Sequence, residues 1–188
     1  MSILDKTIAA LTPPESEEAR QEAREKAAAL AVSNDWLAEI LDHHREIETL
    51  FAHAKAATTV DARRAAVKQL GTMLTAHSVA EEAAIYPALA AHRQVGHAEL
   101  AYQEQSAAKM ELGLLERLDP MSEDFADKLG HIEGAVAHHV YSEEGTWFAQ
   151  LAEDLDAAEK SLVIARYREE FDRYMGPESG GAAAMPLR

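Results

Sequence analysis

The sequence predicts an all-α protein, an antiparallel up-down-up-down four-helix bundle with an extra helix at each end. Three observations favour this fold class. Alanine, glutamate, leucine and arginine fill long stretches of the chain, while the 9 glycines and 6 prolines are few and grouped. Apolar residues recur at the 3.6-residue spacing of amphipathic helices. The central helices are joined by short loops, so sequence neighbours run antiparallel, as in a bundle.

The N-terminal region, residues 1–34, is predicted to be a helical extension of the bundle. The pair Pro13-Pro14 interrupts the chain, and Ser16 follows as a helix cap. A charged helix is therefore expected over Glu17–Ala31.

Four central helices follow, and each boundary has a sequence signal. The threonines at 58–59 break the first helix from the second, His92–Gly96 is a short connection, and Asp119-Pro120 ends the third helix. Ser122 is then placed to cap the fourth. The helices are predicted over residues 35–57, 61–91, 97–118 and 122–151, within a bundle domain of residues 35–152.

Residues 153–175 are predicted to contain a last amphipathic helix, over 157–174, and residues 176–188 to form a flexible tail. The two terminal helices are expected to pack on the bundle or to serve association, and a homodimer is one alternative.

Composition excludes several function classes. With 18 Lys+Arg against 33 Asp+Glu, the net charge is −15, and such a surface repels phosphate backbones and anionic lipids. We therefore expect no nucleic-acid and no membrane partner. The absence of cysteine removes thiol nucleophiles, disulfides and cysteine-ligated metals. No apolar run approaches the ~20 residues of a membrane span, and the first residues do not read as a secretory signal, so a cytoplasmic location is expected.

Two of the central helices carry a histidine and a glutamate four residues apart in the middle of an apolar stripe. These pairs are His77 with Glu81 and His139 with Glu143. Four residues along a helix place both side chains on one face. An ionised carboxylate buried without a partner costs several kcal/mol. A cation between the two helices would neutralise that charge.

The first central helix adds a third histidine near the middle of its apolar stripe. His43 and His44 both fall there, and periodicity alone does not choose between them. Carboxylate and imidazole donors without sulfur suit iron or manganese, with zinc as a further alternative. Glutamates on opposing helices suit bridging two ions, although one ion is also compatible with the sequence.

Three segments together resemble the bacterial hemerythrin-like (HHE cation-binding) domain, over about residues 35–152. They are residues 44–51 (HREIETLF), 77–87 (HSVAEEAAIYP) and 138–144 (HHVYSEE). The resemblance implies a four-helix bundle around a non-haem di-iron centre that meets dioxygen or related oxidants. Carried over by position, it implies the metal ligands His44, His77, Glu81, His139 and Glu143, with both glutamates as bridges.

The third central helix departs from the family pattern. The family usually has a histidine where this chain has Gln105, within the segment 102–109 (YQEQSAAK). Gln105 lies on the inner stripe and is expected to be a weak carbonyl ligand or a hydrogen-bonding partner. Tyr102 and Glu104 border the same stripe and are further candidates for contact with the centre.

These observations favour an iron protein that binds or reacts with dioxygen, peroxide or a related small oxidant. An oxidase-like or peroxidase-like activity is one form of this hypothesis. A second is an oxygen or redox sensor, or an iron-binding protein, that signals through the flanking helices. A third is a degenerate or mononuclear site in a bundle with a structural or interaction role.

Overall fold

The computed structural model describes residues 15–176, and these residues are all-helical with no β-strand. This confirms the predicted fold class. Of the predicted tail, residues 177–188 lie outside the described part. Within residues 15–176, no helix combines the length and apolar character needed to cross a membrane. The helices are α1 Glu17–Ala31, α2 Asp35–Ala56, α3 Val60–Ala91, α4 Val95–Leu115, α5 Glu123–Ser142, a π-helical turn Glu143–Trp147, α6 Phe148–Asp154 and α7 Ala157–Met175.

The four helices α2 to α5 form an antiparallel bundle. Along α2 and α5, His44 contacts Glu144, while Lys55, eleven residues later, contacts Glu133, eleven residues earlier. The same opposite progression holds between α4 and α5, and short loops connect α2 to α3 and α3 to α4. Each of the four helices therefore runs opposite to both of its neighbours.

Helix starts largely follow their sequence signals. Ser16 and Ser122 each accept a hydrogen bond from the backbone amide three residues later, as expected of cap residues. Asn34 occupies a cap position but donates its side-chain amide backwards to the carbonyl of Leu30. The start of α7 is fixed by a reciprocal pair of side-chain bonds between Asp156 and Glu159.

Two helices differ from their predicted extents. Helix α4 ends at Leu115 rather than residue 118, because the last residues tighten into a turn in which the amide of Leu118 donates to the carbonyl of Leu115. The predicted fourth helix is interrupted at Glu143, where the amide of Phe148 bonds five residues back. Such π-helical turns are frequent at functional sites.

Two apolar clusters fill the bundle, one on each side of a layer of buried polar residues. The first includes Trp36, Leu37, Tyr86, Phe148 and Tyr167, and the second includes Phe51, Leu70, Met73, Phe125 and Ile132. The polar layer contains His44, His77, Glu81, His139 and Glu143. Close-packed apolar layers above and below exclude water from these side chains.

Candidate metal centre

Four side chains converge in the polar layer. His44 comes from α2, His77 and Glu81 come from α3, and Glu143 opens the π-helical turn. One ligand atom from each of the four lies within 4.8 Å of the others, and each residue is at most 3% exposed. On α3, the spacing of four residues places the imidazole and the carboxylate on one face, as the sequence predicts.

Each of the four converging residues carries a buried polar atom without a hydrogen-bonding partner in the described structure. Nε2 of His44, Nε2 of His77, Oε1 of Glu81 and Oε2 of Glu143 are buried and have no hydrogen-bonding partner among residues 15–176. The two Nε2 atoms lie 3.4 Å and 3.3 Å from carboxylate oxygens without hydrogen-bond geometry. A buried polar atom left unpaired costs about 1–3 kcal/mol. A cation bound by all four would satisfy them together, so the residues fit a metal with nitrogen and oxygen ligands.

Contacts on the far side of each imidazole hold its Nε2 atom towards the centre. In each histidine the Nδ1 atom lies against an acceptor from another helix or turn: Glu144 at 2.8 Å for His44, the Tyr167 hydroxyl at 3.0 Å for His77, and Glu104 at 2.8 Å for His139. With hydrogen on Nδ1, the Nε2 lone pair is free for a metal.

The fifth predicted ligand, His139, lies beside the group of four but outside it. Its Nε2 atom is 3.2 Å from Oε1 of Glu143, while Oε2 of Glu143 faces His44. The Tyr86 hydroxyl fills the space between, at 3.1 Å from Glu81, 3.1 Å from Glu143 and 3.2 Å from His139. Glu143 therefore lies between two half-sites. The first is formed with His44, His77 and Glu81, and the second lies beside His139, where the Tyr86 hydroxyl oxygen is located.

Gln105 faces the centre, at the level of Glu81 as its stripe predicts. It is 4% exposed, and its Nε2 donates to Oε2 of Glu81 at 2.6 Å. This hydrogen bond orients the Glu81 carboxylate, so the amide nitrogen of Gln105 does not face a metal. The Oε1 atom of Gln105 is buried without a partner in the described structure and is the atom through which this residue could act as a weak ligand.

The two other candidates on α4, Glu104 and Tyr102, differ in their contacts with the centre. Glu104 contacts the centre indirectly, through the Nδ1 atom of His139. Tyr102 does not reach the centre, because its hydroxyl donates to the backbone carbonyl of Glu82 at 2.7 Å. Its ring instead packs edge-on against the ring of Tyr86.

The structure separates His44 from the other candidate histidines. His43 turns away from the centre, with Nδ1 2.7 Å from the Tyr167 hydroxyl and its ring stacked on Phe171. His97 and His138, which are not in the predicted ligand set, also lie outside the group of four. His97 contacts Gln94 and Trp147, and His138 contacts Glu15.

Three residues of the centre are not apparent from helical periodicity. Glu144 directly follows Glu143, and adjacent residues of an α-helix point about 100° apart. The π-helical turn brings both inwards, at 0% and 2% exposure. Tyr86 and Tyr167 lie outside the paired pattern. The one sequence signal for them is a tyrosine in a helix that is expected to form or pack on the bundle, because a buried tyrosine hydroxyl needs a hydrogen-bonding partner.

The charges of the side chains in the centre depend on one another. Burial disfavours a charged His44, but the close carboxylates of Glu143 and Glu144 outweigh burial and raise its pKa to about 9. Burial and the charge of Glu143 raise the pKa of Glu81 to about 8. Burial likewise opposes ionisation of Glu143, yet His139 and His44 hold the pKa of that carboxyl well below its ordinary value. A cation that binds here would displace the protons held by His44 and Glu81.

Removing the carboxylate behind His44 is expected to weaken metal binding without removing a ligand. In Glu144→Ala the Nδ1 atom of His44 loses its acceptor, so the imidazole is no longer held in its ligating orientation. Loss of such an outer contact typically costs about 10–100-fold in metal affinity. Chelator competition measures this, with Glu46→Ala as control because Glu46 is exposed on α2. Equal affinity in Glu144→Ala and Glu46→Ala would contradict the assigned role.

Residues 35–151 match the family model of the hemerythrin HHE cation-binding domain. The match covers more than half of the chain, and the chain therefore belongs to this family. This agrees with the buried His/Glu centre, and together they identify a metal-binding four-helix bundle.

One curated relative is a protein named DNA nickase from Nostoc sp. (strain PCC 7120). It is 25% identical over 142 residues, which cover 74% of this chain and 40% of the relative. The chain thus matches less than half the length of that protein. No solved structure is a significant match to the chain.

Proposed function

We propose that the buried centre holds iron and binds or reacts with dioxygen, peroxide or a related small oxidant. The observation that carries this proposal is a group of four buried residues whose ligand atoms lie within 4.8 Å of one another, each with an unpaired nitrogen or oxygen atom. Neutral imidazoles with carboxylates are the ligand type of non-haem iron sites that keep open positions. Manganese and zinc are compatible with the same donors, and elemental analysis separates the three.

Two iron ions are the arrangement we propose first. Glu143 directs one carboxylate oxygen towards His44 and the other towards His139, as a bridging ligand would. A one-ion centre is the alternative, and the Tyr86 hydroxyl favours it by occupying the space between His139 and the two glutamates. Metal content per chain distinguishes these arrangements.

The residues around the centre have definable tasks in such a reaction. Bound iron would supply redox chemistry and an open position for the oxidant. Burial and the neighbouring carboxylates raise the pKa of Tyr86 well above its ordinary value, so its hydroxyl keeps its proton and can donate it in a hydrogen bond. Gln105 orients Glu81. The apolar clusters on both sides keep bulk water out.

Replacing Tyr86 by phenylalanine tests the proposed reaction. Anaerobic ferrous protein is mixed with dioxygen or hydrogen peroxide, and absorbance is followed by stopped flow. We expect wild type to react and Tyr86→Phe to react more slowly by at least about tenfold, since loss of one positioned hydrogen-bond donor typically costs about 10²–10³-fold. Iron content should be retained.

Tyr102→Phe is the matched control, because it removes a tyrosine hydroxyl on α4 that donates to the backbone carbonyl of Glu82 and does not contact the centre. Its rate should equal that of wild type. Iron-loaded wild type that reacts with neither oxidant would refute the proposed function.

A sensor is a second candidate, favoured by contacts between the terminal helices and the centre. Tyr167 on α7 contacts His77, and Arg24 on α1 lies 3.6 Å from Glu144, which holds His44. A change at the metal could thus alter both helices. A sensor would show different limited-proteolysis patterns with and without air, whereas a carrier or an oxidase would not.

We also propose that nucleic acid is not a partner of this chain. The relative from Nostoc is named a DNA nickase, but its similarity covers 40% of that protein. A net charge of −15 opposes attraction to phosphate backbones. Specific retention of DNA by the purified protein at physiological salt would contradict this.

A further inference from the structure

Tyr167 links the C-terminal helix to the centre through one fully buried hydroxyl. The side chain is 0% exposed, and its oxygen lies 2.7 Å from Nδ1 of His43 and 3.0 Å from Nδ1 of His77. Three helices therefore meet at this oxygen: α7 supplies the tyrosine, α2 supplies His43 and α3 supplies His77. Two histidines share a group that has a single hydrogen to donate.

Counting hydrogens fixes the direction of the two bonds when a metal is bound. His77 can ligate through Nε2 only if its Nδ1 carries the ring hydrogen, and that N–H then donates to the Tyr167 oxygen. The Tyr167 O–H is left to donate to Nδ1 of His43, which accepts in its neutral form. The reverse order would put a hydrogen on Nε2 of His77 and block the ligand position.

Packing makes His43 a fixed acceptor for this bond. Its ring stacks on Phe171 of α7, with centroids 4.0 Å apart and planes 11° apart. The ring of Tyr167 lies 5.6 Å away, with its plane inclined by 23°. Two of the residues that pack α7 on the bundle, His43 and Tyr167, therefore also set the hydrogen on His77.

We propose that Tyr167 and His43 are positioning residues for the metal centre, and that seating of α7 and metal binding at His77 strengthen each other. This inference rests on the metal site of the proposed function. Because coupling between two binding events is reciprocal, a metal that favours one hydrogen arrangement must also favour the α7 position that supplies it. The terminal helix is then part of the site rather than only a cover for it.

The test compares Tyr167→Phe with Tyr174→Phe, a half-exposed tyrosine on the same helix. Ferrous affinity is measured anaerobically by competition with a chromogenic chelator. Tyr167→Phe keeps the ring but removes the hydroxyl, and we expect at least about tenfold weaker binding, as for other outer contacts of metal ligands. Tyr174→Phe should match wild type. Circular dichroism verifies that each variant is folded.

Hydrogen exchange of α7 gives a readout that does not depend on activity. Ferrous iron is expected to slow amide exchange in α7 of wild type and of Tyr174→Phe, and to leave it unchanged in Tyr167→Phe. A second variant, His43→Phe, keeps an aromatic ring against Phe171 and removes the acceptor. It should also weaken iron binding, and combining it with Tyr167→Phe should cost less than the sum of the two.

The outcomes separate this inference from the proposed function. Wild type that binds no ferrous iron would refute the metal site itself. Wild type that binds iron, with Tyr167→Phe within about twofold of its affinity and with unchanged metal protection of α7, would overturn the positioning role alone. Additive losses in the double variant would also overturn the shared hydrogen-bond path.

Discussion

Replacing Glu143 by glutamine is expected to reduce metal affinity by at least about 100-fold, because outer contacts alone cost 10–100-fold and Glu143 is itself a proposed ligand of both half-sites. Its two oxygens face His44 and His139. The amide keeps the shape of the carboxylate but lacks its charge and one of its two acceptor oxygens. The measurement is metal content after anaerobic ferrous loading, together with affinity by chelator competition.

Glu153→Gln is the matched control for this variant, since Glu153 is an exposed glutamate on the next helix along the chain. It should retain the affinity of wild type. Circular dichroism should show the same helix content in both variants. Wild-type metal content in Glu143→Gln would remove Glu143 from the ligand set and with it the two-ion arrangement.

Removing the metal is expected to lower the melting temperature of wild type by about 5–10 °C. A ligand that binds only the folded state at 100 times its Kd stabilises by about 2.7 kcal/mol, and each kcal/mol moves the Tm of a chain this long by about 2–4 °C. The physical source is the set of buried donor atoms that lack partners without a cation. Calorimetry with and without a chelator measures the shift.

The same experiment has an internal control in Glu143→Gln, whose melting temperature should not respond to the chelator. If chelation leaves the wild-type Tm unchanged after iron loading has been verified, the buried centre does not contribute folding energy through a metal. That result would contradict the inference that a bound metal satisfies the buried atoms that lack hydrogen-bonding partners.

Much of the bundle and half of the centre follow from local sequence patterns. A glutamate four residues after a histidine lies on the same helix face, so the pair His77 and Glu81 is readable from sequence alone. The level of Gln105 against Glu81 also follows, because two helices joined by a short loop have a fixed register. Periodicity leaves His43 and His44 open, the family resemblance selects His44, and the structure places His44 in the buried group.

The remaining contacts depend on features that a helical stripe does not encode. Glu144 reaches His44 only because the chain widens into a π-helical turn after Ser142. Tyr86 enters the second half-site from a position five residues after Glu81, off the face of the paired ligands. Tyr167 comes from a terminal helix in which the sequence singles out no residue that contacts the centre.

Membership of the hemerythrin family and a buried His/Glu group establish a metal-binding bundle, while iron and its reaction with oxidants are our proposal. The departure at Gln105 bears on the number of ions, because an amide that donates to Glu81 replaces a nitrogen ligand. The Tyr86 hydroxyl lies in the half-site beside His139 and Glu143, where the nitrogen ligand is missing.

The most direct test of a metal at the His/Glu centre is the metal content per chain, measured by elemental mass spectrometry with an absorption spectrum of the same sample. We predict about two irons per chain, the number that paired sites with bridging carboxylates hold, and charge-transfer bands in the near ultraviolet. About one iron would support the alternative in which Tyr86 occupies the second half-site. Protein that retains no metal, either as purified or after anaerobic ferrous loading, would contradict the centre proposed here.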